Sequence, residues 1–169
     1  LNANTTGGAN TAVGQNALKL NTSAANNTAI GFSCLTLNTT GTQNTGLGAY
    51  TFEDNTTGHR NTGLGYFALG NNTTANDNTA VGFQAVSENT TGTSLVGVGA
   101  YCLDANTTGN SNTAVGRSCL VLNTTGSNNV AMGNSALGNN VTGGNNTGNV
   151  ALVVDHLTST DDRDVKPSA

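Results

Sequence analysis

One spacing dominates the sequence, because a glycine preceded by an aliphatic residue returns every 17 residues without an insertion or deletion. A series of asparagines keeps the same step, and the repeat reads N-T-[AG]-[VIL]-G-x-x-[AC]-L-x-x-N-T-T-G-x-x. The anchor glycines are Gly14, Gly31, Gly48, Gly65, Gly82, Gly99, Gly116 and Gly133. The asparagines are Asn4, Asn21, Asn38, Asn55, Asn72, Asn89, Asn106, Asn123 and Asn140. A one-residue slip would turn every side chain to the other face, so this register predicts stacked coils.

The length of the repeat indicates the type of coil. Helical repeats need about 33 residues or more, whereas 17 residues suit one coil of a parallel β-solenoid or β-roll with two short strands and two turns. Coils stacked about 4.8 Å apart would form a rod about 43 Å long. We therefore expect an all-β fold, a parallel β-solenoid of about nine 17-residue coils over residues 1–149.

Composition excludes several other classes of protein. The 169 residues include 28 Asn, 29 Thr and 23 Gly, which are poor helix formers, and only 8% are charged. No apolar stretch approaches the roughly 20 residues of a membrane span, so membrane insertion is not expected. The net charge of −4 leaves no basic patch for a nucleic acid.

Three positions of the repeat are candidates for the core. We expect the aliphatic residue before each anchor glycine to point inward, the residue four after it to form a second core ladder, and the small residue between them to face a narrow space. The first set is Val13, Ile30, Leu47, Leu64, Val81, Val98, Val115 and Met132. The second is Leu18, Leu35, Phe52, Leu69, Val86, Leu103, Leu120 and Leu137, and the small set includes Ala17, Cys34, Thr51 and Ala68.

Other apolar residues are expected outside this core. Thr11 and its repeats, replaced twice by Val, predict a half-buried column on the same strand face as the aliphatic residue. The outward residues are Phe32, Tyr50, Tyr66, Phe67, Phe83 and Tyr101, together with Leu20, Leu37 and Leu122. An outward apolar stripe on a rod favours burial against another chain, and a side-by-side homotrimer would provide it.

The anchor glycine and the N-T-T-G segment are predicted to form the two turns. Glycine accepts a positive φ, and Asn tolerates one better than most residues. Stacked asparagines are also expected to hydrogen-bond to each other along the solenoid.

The repeat decays towards the end of the chain. Residues 150–157 contain the most apolar segment and are predicted to form a cap or a transition, and residues 158–169 form a charged tail. Leu1 falls in mid-repeat, so we expect the chain to be a segment of something longer.

The tandem N-T-A-V-G, A-L and N-T-T-G units resemble the repeats of viral and phage tail fibres and are similar to the head repeats of YadA-like trimeric adhesins. That resemblance implies a left-handed parallel β-roll, three chains side by side, and a rigid extracellular shaft or receptor-binding head on a virion or a cell surface. The adhesin repeats are usually shorter than 17 residues. The tail from Ser159 to Lys166 also resembles the start of the intramolecular chaperone domain that ends such fibres, although Thr160 stands where Ser is expected.

No catalytic, cofactor or metal site is predicted. Cys34, Cys102 and Cys119 occupy the small position of the repeat and are interpreted as small apolar residues, although the last two lie on adjacent coils within disulfide reach. Glu53 and Asp54 are the only adjacent acids inside the repeats, which is weak evidence for a glycosidase site. Calcium β-rolls need Asp in every turn, so calcium is rejected as a constitutive ligand.

The function expected is that of a fibre or adhesin segment that spaces or presents contacts to a host glycan or protein receptor and joins neighbouring fibre segments. Contacts could vary at the variable turns without disturbing the core; these are His59, Arg60, Asn76, Asp77, Asn110 and Ser111. The alternative is an ice-binding solenoid that uses the threonine ladder of the N-T-T-G turns, which includes Thr39, Thr56, Thr73, Thr90 and Thr107.

Overall fold

The computed structural model describes residues 1–149, in which a single parallel sheet extends from Thr11 to Asn149; the predicted cap and charged tail lie outside these residues. Each strand pairs with the next in the chain, and each residue lies opposite the residue 17 positions on, as Thr11 does with Thr28. The strands are β1 (Thr11–Val13), β2 (Thr28–Ile30), β3 (Thr45–Leu47), β4 (Thr62–Leu64), β5 (Thr79–Val81), β6 (Val96–Val98), β7 (Thr113–Val115), β8 (Val130–Met132) and β9 (Thr147–Asn149). The predicted parallel β-solenoid with 17-residue coils is confirmed.

Each coil contains one strand, not the two that were predicted. The rest of the coil consists of turns whose backbone groups bond to the adjacent coils rather than along a second sheet. Leu35 donates its N–H to the carbonyl of Thr51 at 3.0 Å, and Thr39 donates to Thr56 at 3.0 Å. The ladder of hydrogen bonds between coils therefore continues around the coil where no strand forms.

The side chains of the strands point the opposite way from the one predicted from the sequence. The central Ala or Gly of β1 to β8 points inward, as Ala29 and Ala80 do at 0% exposure, while the aliphatic residue after it points outward. The interior beside the sheet is too narrow for more, because a Cβ on Gly46 would lie 2.6 Å from Sγ of Cys34. Side chains alternate along a strand, so a small inward residue forces the next residue outward. The prediction of an inward aliphatic ladder is wrong.

The core is correspondingly thin: each coil contributes one large apolar side chain from the turn after its strand, and Leu95 adds one more. Leu35, Phe52 and Leu69 are fully buried, and the small residues before them, such as Cys34 and Ala68, are buried too. The second core ladder and the narrow space beside it are therefore confirmed.

Much of the turn that follows each of the strands β1 to β8 has a left-handed backbone. Gly31 has φ 143°, Ser33 φ 53° and the buried Leu35 φ 52°, and the same alternation recurs in the other coils. The positive φ predicted for the anchor glycine is confirmed. A bulky residue held there costs about 1 kcal/mol or more, so burial of the leucine must outweigh the local strain.

The N-T-T-G segment turns for a different reason. Its glycines have no positive φ, contrary to the expectation. Instead, a Cβ on Gly58 would lie 2.4 Å from the carbonyl oxygen of Ala75 and 2.3 Å from Oδ1 of Asn55. Glycine suits this position because the backbone of the next coil approaches closely, although Ala24 and Ala75 take the same position in two coils and are buried there.

Asparagines form a second, polar interior along the rod. Nδ2 of Asn55 donates to Oδ1 of Asn38 at 2.9 Å and to the Gly58 carbonyl at 3.2 Å, and Nδ2 of Asn72 donates to Oδ1 of Asn55 at 2.8 Å. This asparagine ladder, which runs through the predicted series, confirms the expected stacking. Each buried amide thereby bonds to its neighbours above and below, as a buried polar group requires.

A second ladder of asparagines, which was not anticipated from the sequence, lies just before the strands and runs alongside the first ladder. Oδ1 of Asn27 accepts the backbone N–H of Asn44 at 2.9 Å, and Nδ2 of Asn44 donates to the Gly58 carbonyl at 2.8 Å. The buried members are Asn27, Asn44, Asn61, Asn78, Asn112 and Asn129, with Leu95 in place of one asparagine. The first residue of the N-T-[AG] motif could have indicated this ladder.

Candidate interaction surfaces

The outward side of the nine strands, here called the strand face, carries an aliphatic column along the rod. Six members of this column keep between 36% and 56% of their surface exposed: Val13, Ile30, Leu47, Leu64, Val115 and Met132. Parallel sheets are usually covered on both faces. In residues 1–149 only the inner face is covered, so the outer one is open to a partner.

A column of threonines runs beside the aliphatic residues on the same face. Thr45 and Thr62 are exposed, and within the described residues their hydroxyls bond to no other group. The threonines of the N-T-T-G turns differ, because Oγ1 of Thr39 donates to the Thr56 carbonyl at 3.1 Å. The shared face predicted for the Thr column and the aliphatic column is therefore correct, but it faces outward.

An aromatic ladder borders the strand face on the far side of the anchor glycines; it comprises Phe32, Tyr50, Tyr66, Phe83 and Tyr101. Consecutive ring centroids lie 5.2–5.7 Å apart. Ile30 and Phe32 are separated by one glycine, so their Cα atoms are within about 7 Å. The ladder and the aliphatic column therefore form one continuous apolar surface.

The aromatic ladder stays continuous although its members come from two positions of the repeat. Phe32, Tyr66 and Phe83 follow the anchor glycine directly. In the two coils where Ala49 and Ala100 take that position, the next residue is Tyr50 or Tyr101, and its ring fills the gap. The outward placement predicted for the aromatics is confirmed, while this compensation was not anticipated.

Charge is nearly absent from the strand face and the aromatic ladder. Arg117 is the single charged residue there within residues 1–149, and it stands one coil beyond Tyr101. The acids Glu53, Asp54 and Glu88 lie near the far end of the following turn. Burial, together with the neighbouring Asp54, raises the pKa of Glu53.

The N-T-T-G turns and the two variable residues after them form a polar side of the rod. His59, Arg60, Asn76 and Asp77 lie there on adjacent coils. Arg60 binds Asp77 through two hydrogen bonds of 2.6 and 2.9 Å, and the hydrogen bond from Arg60 holds the pKa of that carboxyl below its usual range. Nδ1 of His59 accepts the N–H of Thr42 at 2.9 Å, and Oδ1 of Asn76 accepts the N–H of His59 at 2.7 Å.

Asn110 and Ser111 lie on the same side, two coils beyond Asn76 and Asp77. Oδ1 of Asn110 accepts the N–H of Thr93 at 2.8 Å, and Ser111 donates its N–H to the Thr93 carbonyl at 2.9 Å. The six sequence-predicted contact residues thus share one side but form two groups. Asn76 and Asn110 connect adjacent coils through their side chains, and Arg60, Asp77, Asn110 and Ser111 are exposed.

The three cysteines lie inside the solenoid as free thiols. Sγ of Cys102 donates to the Ala114 carbonyl at 3.1 Å, and Sγ of Cys119 donates to Ala131 at 3.2 Å. Burial raises the pKa of Cys34 and of Cys102 to about 12. These thiols remain protonated at neutral pH, which makes them poor nucleophiles.

Within residues 1–149, no group of three or more His, Cys, Asp or Glu side chains is placed to hold a metal ion. The same residues include no helix of the length and hydropathy that a membrane crossing requires. No protein-family model, curated protein or solved structure matches the chain.

Proposed function

We propose that the chain is a shaft or head segment of an extracellular trimeric fibre, on a virion or a cell surface, in which three copies pack side by side. The observation that carries this proposal is the strand face, an uncovered apolar sheet surface that follows the rod from β1 to β8. Contiguous apolar surface of this kind marks a site of association in soluble proteins.

The periodicity of the strand face favours a second copy as its partner. A partner must match an aliphatic side chain about every 4.8 Å over the whole rod. Another copy in parallel orientation matches that spacing over any number of coils. Charge agrees with this, because identical faces would bring like charges together, and the strand face carries none before Arg117.

The size of the surface fits a stable contact. From the Thr column to the position after the anchor glycine, the surface is about 13 Å wide and about 38 Å long, on the order of 500 Å² of flat area. Side-chain relief raises the accessible area above that figure, toward the roughly 800 Å² that each partner gives to a standard interface. In a trimer each chain divides this face between its two neighbours.

The polar side is then the outer surface of the fibre. Its variable positions, among them Arg60, Asp77 and Ser111, would present contacts to a host glycan or protein, because they can change without altering the core. The fibre acts as a spacer that holds these contacts at a fixed distance, and the chain needs no cofactor or catalytic group for that role.

The proposal is tested by absolute mass in solution, measured by light scattering on a sizing column. We expect about three times the chain mass of 16.8 kDa. Leu64→Glu places a charge on the strand face of every copy and is expected to reduce the mass to that of one chain. Thr74→Glu, an exposed change on the polar side, is the matched control and should leave the trimer intact. A monomeric native chain, or equal masses for both variants, would contradict the proposal.

A second candidate function, ice binding, is favoured by one observation. In the described residues the strand face presents a column of threonines beside the aliphatic column, and the hydroxyls of Thr45 and Thr62 in it are free. This is a different threonine column from that of the N-T-T-G turns, whose hydroxyls bond to carbonyls of the next coil. Ice binding needs the strand face open, so a monomer that shapes growing ice crystals would replace the fibre proposal.

A further inference from the structure

The aromatic ladder occupies only part of the rod. It spans five coils, from Phe32 to Tyr101, while the aliphatic column continues from Val13 to Met132. The same repeat positions hold Gln15 and Asn16 in the coil before it, and Arg117 and Ser118 in the coil after it. A role that each coil needs, such as closing the core, would place an aromatic ring in each coil.

A uniform solenoid has a problem when it assembles with itself. Each coil presents nearly the same strand face, so two copies shifted by one coil, about 4.8 Å, lose only the contacts of the end coils. Register is weakly specified wherever successive units look alike. A block of bulky residues confined to some coils removes this ambiguity, because its side chains protrude farther from the rod than the small polar residues of the coils on either side.

We propose that the aromatic ladder fixes the axial register of the assembled chains, with a second copy of this chain as its partner. This inference rests on the trimer proposed above. In register, the ladders of neighbouring copies lie at the same height along the rod and pack against apolar surface. After a slip of one coil, a ring at one end of each ladder would meet Gln15 or Arg117 in place of its apolar contact.

Contacts between neighbouring rings hold the aromatic ladder together. Tyr66 and Phe83 stack with 11° between their planes, so each turns a face to the other. Phe32 with Tyr50 and Phe83 with Tyr101 meet edge to face at 71° and 68°. Such pairs add about 0.5–1.5 kcal/mol beyond the burial of area. The five rings thus pack against one another along the rod and form a continuous ridge.

The test removes the ladder with residues that the repeat itself uses elsewhere. The ladder-free variant carries Phe32→Ala, Tyr50→Ser, Tyr66→Ala, Phe83→Ala and Tyr101→Ser. The control variant removes exposed apolar side chains from a different position, with Leu20→Ala, Leu37→Ala and Leu122→Ala. All chains carry Cys34→Ala, Cys102→Ala and Cys119→Ala, and one spin label at Ser23→Cys on the polar side.

Inter-label distances are then measured by pulsed electron paramagnetic resonance, after light scattering has established the mass. We expect a narrow distance distribution for the intact ladder and for the control, because the three labels share one height. The ladder-free variant should still form trimers, but with a broad distribution extended to longer distances, since each slipped coil displaces a label by about 4.8 Å.

A ladder-free trimer with a distribution as narrow as the control would overturn the inference and leave the trimer standing. A ladder-free monomer of unchanged circular dichroism would also overturn it, since the ladder would then carry the assembly itself. If the native chain is a monomer, the proposed function fails first. If five changes unfold the chain, Tyr66→Ala with Phe83→Ala removes the stacked pair and must broaden the distribution relative to the control.

Discussion

Phe52 fits inside the solenoid because Gly63, in the strand of the next coil, has no side chain. A Cβ at Gly63 would lie 2.7 Å from Cε2 of Phe52 and 2.7 Å from Cγ2 of Thr51. Two other coils combine Ala and Leu in the core with Ala in the next strand, which is Ala29 in one and Ala80 in the other, so the larger pair here is matched by a smaller strand residue. The side chains of adjacent coils therefore share one closely packed interior.

This relationship predicts that the loss of stability caused by Gly63→Ala depends on the residues at positions 51 and 52. In the native chain we expect a loss of about 1–3 kcal/mol in the free energy of unfolding, because the core becomes overpacked. In a Thr51→Ala, Phe52→Leu background, which restores the common pair, the same change should be neutral or stabilising, since Ala is favoured over Gly in a strand by about 0.5–1 kcal/mol. Denaturant unfolding of the four chains measures the coupling, and an equal cost in both backgrounds would refute it.

The asparagine ladder predicts a sharp contrast between two neighbouring asparagines. Asn72 is buried and donates to Oδ1 of Asn55 at 2.8 Å while it accepts from Asn89 at 3.1 Å. Asn72→Ala leaves the buried Oδ1 of Asn55 without its donor, and we expect a loss of about 1–3 kcal/mol in the free energy of unfolding. Asn71→Ala removes only an exposed contact with Glu88 and should cost less than about 0.5 kcal/mol. Similar losses for the two variants would show that the ladder does not stabilise the fold.

The buried thiols predict a pH dependence of stability. The pKa of Cys34 rises from 9.0 to about 12 in the folded chain. Between these values the unfolded chain loses the thiol proton and the native chain keeps it, so the free energy of unfolding must fall as pH rises from about 9 to about 12. Cys34→Ala, which copies the residue of other coils, should flatten this fall. Denaturant unfolding at a series of pH values measures both slopes, and identical slopes would disprove the assignment.

Much of the fold follows from the sequence, because each residue in one coil is repeated at the same place in the next. The unbroken 17-residue step fixes the parallel register, and the invariant asparagines fix a ladder that only stacked coils can build. Leu35 and its equivalents could be identified as core because their position never accepts a polar residue.

The sequence could not show in the same way which side chains of the strand face the interior. Ile30 and Leu35 are both large and apolar, and pattern alone assigns both to the interior. What decides between them is the volume beside the sheet, which accepts Ala29 or Gly46 and nothing larger, and that volume depends on how the coil closes. The sequence predicted the aromatic residues as an outward stripe but not the contacts between their rings, because Tyr50 and Phe32 belong to different repeat positions and meet only in the folded chain.

The central claim is that the strand face is buried between copies of this chain. In a single chain Leu64 is 42% exposed, and Thr74 on the polar side is exposed too. The most direct measurement is the rate at which a maleimide reacts with Leu64→Cys and with Thr74→Cys, each in a chain whose native cysteines are replaced by Ala. The account predicts that Thr74→Cys reacts as fast as a free thiol while Leu64→Cys is protected at least tenfold, on the order of 1.4 kcal/mol, until denaturant separates the chains. Equal rates under native conditions would contradict it.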